Sequence, residues 1–324
     1  MSQHAVIQRG GRSSRPPTSR AGQQVSAETR RRLRREGWRL RLPLLPALVF
    51  TLVLTQIPFV LTLIFSFQKW NLLSGGNQGF VGVTNYLNAV DDSVFWKSLK
   101  VTVVTTLGAT VACLVVGLLL ALVLNQSFPG RGVARTLAIT PFFVMPVAVT
   151  LFWRSAMFDP SFGLFGWISR LLGLPSISWL SDHSLAALVI LLTWRFAPFA
   201  MLILLAGLQS LPGDQVEAAK IDGADQVRIF GYIVVPHLRP FIELSALLLA
   251  MNLIQTFGEI ALLTAGGPAY ATTNITYYIF VKGFNSFDLG AASAFGVIAL
   301  ILTIALVMPA LRLLSGIFQT EGRR

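Results

Sequence analysis

The placement of charge along the chain constrains its fold more than any single motif does. Four windows contain no Asp, Glu, Lys or Arg: 42–68, 101–130, 136–153 and 289–311. Two more, 184–209 and 244–265, are interrupted once each, by Arg195 and by Glu259. A helix rises 1.5 Å per residue, so about 20 residues cross a hydrocarbon core of roughly 30 Å. The windows therefore predict an all-α membrane protein with six transmembrane helices. Their expected extents are 42–67, 97–125, 134–158, 184–209, 238–264 and 289–314.

Composition agrees with this reading. Of 324 residues, 54% are hydrophobic and only 12% charged, against about 25% charged in soluble domains. So few charges cannot build a surface that faces water on every side. The one cysteine, Cys113, excludes a disulfide scaffold.

The formal net charge of +12 would suggest nucleic acid if it were spread over the chain. It is not, because eleven arginines lie within residues 1–41. That stretch is poor in apolar residues. It predicts a largely disordered basic tail, with a helix over 27–41 resting on lipid headgroups rather than on nucleic acid. Its basic region is longer than that of a signal peptide, and no cleavage site follows the apolar run. With the N-terminus inside, 19 Lys and Arg fall on the inner side and 5 on the outer. The asymmetry predicts that both termini are cytoplasmic. The expected division is a tail over 1–41, a membrane domain over 42–315 and a cytoplasmic C-terminal tail over 316–324.

A charge at the centre of a span costs at least about 2.5–3.5 kcal/mol, so Arg195 needs a partner or a wet cavity. Glu259 is the candidate partner, at a backbone level that differs by about six residues, or about 9 Å. Two readings stay open: an ion pair between them, or direct contact of Arg195 with the hydroxyls of a solute. Asn252, Gln255 and Glu259 are spaced to share one helix face and, with Arg195, are the candidate lining of a pathway. Arg154 reads as a snorkelling anchor at a span end. Trp70, Trp96, Trp153, Trp167 and Trp179 read as an interfacial belt.

No catalytic or metal-binding set is visible. His4, His183 and His237 fall in the tail, an outer loop and an inner boundary. The phosphate-loop pattern GxxxxGK[ST] is absent, so no cofactor is expected on this chain.

The loop 211–236, between the fourth and fifth spans, carries the remaining signal. It contains Pro212, Asp214, Glu217-Ala218-Ala219, Asp222-Gly223 and finally Pro236. Asp214 is expected to cap a short helix, Gly223 to turn it with positive φ, and a second helix from Asp225 to end before Pro236. Two alanines and a glycine at an exposed corner make a low knob suited to a partner's groove.

This loop resembles the EAA loop of permease subunits in binding-protein-dependent ABC importers. Phe80-Val81-Gly82 with Asn85-Tyr86, then Leu263-Thr264-Ala265-Gly266-Gly267-Pro268 and Gly290-Ala291-Ala292-Ser293-Ala294, resemble the carbohydrate permeases of the maltose F type. Thr140-Pro141-Phe142-Phe143-Val144-Met145-Pro146 and the segment 198–205 are similar to mannitol and sorbitol permeases, although Arg195 stands where those carry an uncharged polar residue. The resemblance implies the type I importer permease fold in a bacterial inner membrane. It implies a sugar or polyol as solute and partners that do the rest. Those are a second, different permease subunit, two ATPase subunits holding ATP and Mg²⁺, and an extracytoplasmic sugar-binding protein. Glu217, Ala218, Ala219, Asp222 and Gly223 would then couple to the ATPase. The chain itself would be a transport subunit and no enzyme. An ion-coupled secondary carrier is the alternative; it would need ionisable relays in broken spans.

Overall fold

The computed structural model describes residues 44–321, with side chains over 45–305. The basic tail, its expected helix over 27–41 and the final residues 322–324 lie outside the described residues. The chain divides into two compact units, 1–59 and 60–324.

The described part of the first unit is the start of helix α1, Leu44–Ser66. Thr51 and Thr55 return their hydroxyls to the carbonyls of Ala47 and Thr51. This is how a helix that presents apolar side chains all round keeps its few polar groups paired.

The second unit opens with the last turns of α1 and a hairpin, β1 Gln68–Asn71 against β2 Gly76–Phe80. The hairpin corrects the all-α expectation for this loop. Its turn rests on Gly75 and Gly76, at φ +89° and +88°, and four- and five-residue strands are too short to show an alternating pattern. Helix α2, Thr84–Asp91, follows. It carries Asn85, whose amide donates to the carbonyls of Ser66 and Gln68, both at 2.9 Å. Tyr86 joins Ser66 through its hydroxyl at 2.6 Å. The Asn85-Tyr86 motif therefore ties the end of α1 to the hairpin.

Helix α3, Ser93–Asn125, starts at Asp92, whose carboxylate accepts from the amides of Val94 and Phe95. Asp92 also accepts from Tyr278 Oη at 2.6 Å and pairs with Lys282 at 3.2 Å. Partial burial pushes its carboxyl upward. The hydrogen bonds from Tyr278 and Lys282, with the lysine's charge, outweigh this and hold it below the ordinary 3.8. Among the described residues, the widest helix contact is between α3 and α8, Ser184–Gln209. Thr102, Thr106, Ala109, Cys113, Gly117 and Ala121 are buried along one stripe of α3, the small-residue pattern that lets membrane helices approach closely. A Cβ on Gly117 would lie 2.7 Å from the Cβ of Ala200 and 2.9 Å from the nitrogen of Met201. Backbone cannot retreat as a flexible side chain can. Gly117→Val is therefore expected to cost about 1–3 kcal/mol, read as a lower melting temperature in detergent. An unchanged melting temperature would mean that the helices do not cross there.

The third expected span is not straight. Helices α4, Arg131–Phe143, and α5, Pro146–Phe152 with its π turn Trp153–Met157, meet at 95°. Pro146 lacks an amide hydrogen and forces Met145 out of the helical region, to φ −55° and ψ 130°. Short helices α6, Leu164–Leu171, and α7, Trp179–Asp182, lead into α8.

After α8 come α9, Gly213–Ile221, and α10, Gln226–Ile229, then a π turn Phe230–Val234 and α11, Val235–Leu253. The run Gln226–Leu253 is long and apolar enough to be one span. It does not end before Pro236 as expected. Pro236 falls at the start of α11 directly after the π turn, where the hydrogen-bond ladder is already shifted and a missing amide costs least. The fifth span breaks after Leu253 and resumes as α12, Gly258–Leu263. Helix α13, Ile275–Phe280, with its π turn Val281–Asn285, and α14, Leu289–Glu321, complete the chain.

Among the described residues, four helices are thus long and apolar enough to cross a membrane, or five if the bent pair is one span. The sixth expected span corresponds to α14, whose part Leu289–Ala305 is an apolar helix shorter than a full span. The core lies where α3, α5, α8, α11 and α12 meet, around Leu188, Leu192, Leu249, Leu253 and Ile260. A second cluster nearer the 211–236 loop joins Leu124, Met201, Leu204 and Leu238.

Candidate coupling and pathway sites

The loop 211–236 folds as two short helices around one left-handed residue. Gly223 sits at φ +82°. Its amide donates to the carbonyl of Lys220, and the next amide, of Ala224, reaches back to Ala219 at 2.9 Å. These two bonds form a Schellman motif, which requires positive φ at the residue glycine occupies. Asp225 then caps α10 by accepting from the amide of Arg228 at 2.8 Å. Asp214 does not cap α9. The cap position is Pro212, and Asp214 lies in the first turn, where its charge favours the helix N-terminus.

Glu217, Ala218, Asp222 and Gly223 are exposed, and Ala219 is half-buried. Nothing lies within 4 Å of the position a Gly223 Cβ would take. The loop also exposes apolar residues that were not singled out from the sequence: Ile221 at 86%, Val227 at 78% and Tyr232 at 83%. Their signal was present as apolar side chains within an otherwise polar loop. Loop and span are mechanically continuous, because α10, the π turn and α11 run together over Gln226–Leu253. His237 joins α11 to the end of α8, reaching Ser210 Oγ at 3.0 Å and the carbonyl of Gly207 at 3.1 Å.

Within the membrane region, Arg195 and Glu259 form a direct ion pair through Nη1 and Oε1. Glu259 is buried and Arg195 half-buried, and the guanidinium also lies 4.9 Å from the centre of the Phe196 ring. The ion pair expected between Arg195 and Glu259 is present.

The shared helix face expected for Asn252, Gln255 and Glu259 does not exist. Asn252 lies in the last turn of α11, Gln255 in the unwound segment 254–257, and Glu259 in α12. Asn252 and Gln255 are exposed and donate to carbonyls of their own turn, those of Leu248 and Met251. Glu259 is 5% exposed. Carbonyls freed by the break find partners far along the chain: Asn274 donates to that of Thr256, and Thr276 to that of Ile254. Those long-range partners are why the break was not legible locally.

Three cations from three different elements hold α12 and the loop after it. Besides Arg195, Arg154 Nη1 donates to the carbonyl of Leu262 at 2.9 Å, and Lys97 Nζ to that of Ala269 at 2.6 Å. Arg154 is therefore no free snorkelling anchor. Nor do the tryptophans form a single belt. Trp153 is buried against Trp194 and Phe158, while Trp96 and Trp167 are about half exposed. In the Gly-Gly-Pro loop, Thr264 bonds Thr272 at 2.6 Å and Thr273 bonds the carbonyl of Gly266 at 2.9 Å.

The model of the family described as "binding-protein-dependent transport system inner membrane component" matches residues 103–319. A probable ABC transporter permease protein, y4oQ, of Sinorhizobium fredii is 35% identical over 82% of this chain and 86% of its own length. The trehalose/maltose transport system permease protein MalF of Thermococcus litoralis is 35% identical over 82% of this chain and 89% of its own. Among solved structures, a bacterial ABC transporter involved in the import of the acidic polysaccharide alginate superposes with a TM-score of 0.74. The two chains share 21% identity, over 87% of this chain and 97% of that one.

Proposed function

The chain belongs to the family of binding-protein-dependent transport system inner membrane components, and on that premise we propose that it imports a sugar or a related polyhydroxyl solute. It is a multi-pass membrane subunit and not itself an enzyme. Proteins similar to it include a trehalose/maltose permease, a sulfoquinovosyl glycerol permease and sn-glycerol-3-phosphate permeases. They share a hydroxyl-rich solute, and this supports the class without selecting a polyol within it.

The observation that carries the mechanism is the continuity from the exposed Gly223 corner, through Gln226–Leu253, to the break at 254–257. In this reading both termini and the 211–236 loop face the cytoplasm. Glu217, Ala218, Ala219, Asp222 and Gly223, with Ile221 beside them, dock on an ATPase that holds ATP and Mg²⁺. Closure of two such ATPase subunits displaces α9. The continuous rod carries that displacement toward the unwound segment, while the Lys97, Arg154 and Arg195 contacts hold the segment beyond the break. Asn252 and Gln255 present polar side chains on the near side of the break, to a pathway shared with a second permease subunit. An extracytoplasmic binding protein supplies the solute on the far side.

A carrier driven by an ion gradient also uses broken helices and buried charge pairs. Membership in the family weighs against it, and reconstituted uptake separates the two. With its partner subunits in proteoliposomes, uptake is expected only with internal ATP and to persist when ion gradients are collapsed. Asn252→Ala with Gln255→Ala is expected to lower uptake at subsaturating solute about tenfold, the loss of roughly two hydrogen bonds. Undiminished uptake would remove these two residues from the pathway, and ATP-independent uptake would sink the importer reading.

A further inference from the structure

Where span three ends and α7 begins, the second unit holds a recess of about 300 Å³ that the coupling and pathway sites do not use. Arg154, Ser155, Asp159, Ser178, Trp179 and Ser181 line it. It lies at the start of α8, whereas the Gly223 corner follows the end of that helix. Twenty-six residues separate the two levels, about 39 Å at 1.5 Å per residue. If the corner is cytoplasmic, the recess faces the side from which solute arrives.

Its two charges are held but not joined. Asp159 Oδ1 accepts from the amides of Ser161 and Phe162 at 2.8 and 2.9 Å, and these donors hold the carboxyl below its ordinary value. The other carboxylate oxygen has no partner among the described residues. Arg154 spends one of its five donors on the carbonyl of Leu262 and also lines the recess. The ion pairs among the described residues are formed by other side chains. Trp179 is fixed by Phe158 and Phe165, with ring centres 5.9 and 5.3 Å away. A carboxylate acceptor, a guanidinium donor and hydroxyls beside an immobilised indole match a sugar ring, whose hydroxyls both donate and accept and whose C–H face is apolar. An anionic ligand would meet the Asp159 carboxylate.

We propose that this recess is an entry subsite for one ring of an uncharged sugar, or for an uncharged polyol. It rests on the reading of the chain as an importer of such solutes, and it narrows that class to neutral members. Because Arg154 also holds α12, an occupied recess is connected through one side chain to the segment beyond the break in span five.

The test uses the full chain in nanodiscs and saturation-transfer NMR with methyl α-glucoside, trehalose, mannitol and sn-glycerol 3-phosphate as probes. At least one neutral probe is expected to bind saturably, and the phosphate not at all. Asp159→Asn keeps the acceptor of the local turn and removes the charge, so it is expected to weaken binding about tenfold. Ser181→Val, at an exposed position, provides a second variant with little bearing on folding and should weaken binding as well. Val133→Ala, at an exposed position in the first turn of α4, should leave it unchanged. No saturable signal from any neutral probe, equal binding of the phosphate, or indifference to both recess variants would overturn the subsite. The same four probes in the proteoliposome assay keep the two readings apart. Uptake without recess binding overturns the subsite alone, whereas recess binding with uptake that needs no ATP overturns the importer reading alone.

Discussion

Gly223→Asp is expected to reduce ATP-driven uptake at least about tenfold, a loss of about 1.4 kcal/mol or more of docking energy. The folded chain should lose no more than about 1–2 kcal/mol, the cost of placing a residue with a Cβ in the left-handed region. The two effects separate because nothing lies within 4 Å of the position the new Cβ takes. Its space is open in this subunit and would be filled only by a docked partner. Gly223→Asn is the informative companion, since Asn tolerates φ of +82° better than most residues and keeps the turn. If Gly223→Asn uncouples as strongly as Gly223→Asp while both chains stay folded, bulk at the corner is responsible. If only Gly223→Asp does, charge at the corner is responsible. Full ATP-dependent uptake in both variants would remove Gly223 from the coupling surface. The exposure of Ile221, Val227 and Tyr232 around the same corner belongs to the same surface.

Glu259→Gln should destabilise the chain by up to about 3–5 kcal/mol, because it leaves the half-buried Arg195 guanidinium without its counter-charge. The measurement is the midpoint of thermal unfolding in a fixed detergent. Replacing both partners, as Arg195→Met with Glu259→Leu, is expected to restore most of that loss, since neither charge then has to be desolvated. Uptake by the double variant separates the roles left open for Arg195. Retained uptake assigns the pair to positioning α12 against α8. A stable double variant without uptake would mean that solute touches Arg195 during passage, with the ion pair as its resting state. Glu259→Gln as stable as the parent chain would contradict the buried pair itself.

Several elements were readable because the physics that sets them is local. Charge-free runs mark apolar helices, since a charge in hydrocarbon is costly wherever it occurs. The Asp222-Gly223 turn was readable because a left-handed residue after a helix calls for glycine. Arg195 and Glu259 could be paired in advance because two lone opposite charges in apolar spans have few other partners.

Other elements depend on contacts between distant parts of the chain. The bend at Val144–Met145 had its proline in view, yet a proline within a span can also be carried by a mild kink. The 95° angle follows from how α5 packs against α12 and the core. The hairpin at 68–80 depends on Asn85 and on the backbone near Gly290 as much as on its own strands. The break at 254–257 exists because Asn274 and Thr276, 18 and 22 residues further on, satisfy the carbonyls it frees.

By itself, then, the sequence determined the membrane environment, the approximate spans, the exposed glycine corner and the need for a partner at Arg195, because each follows from the solvation of a few neighbouring residues. Tertiary structure decided that Asn252 and Gln255 part from Glu259 at a break, that Arg154 and Lys97 join Arg195 in holding the segment beyond it, and that Asp159 and Trp179 face one recess. The reason is that unpaired backbone groups and buried charges find partners in space, and spacing along the chain does not name them.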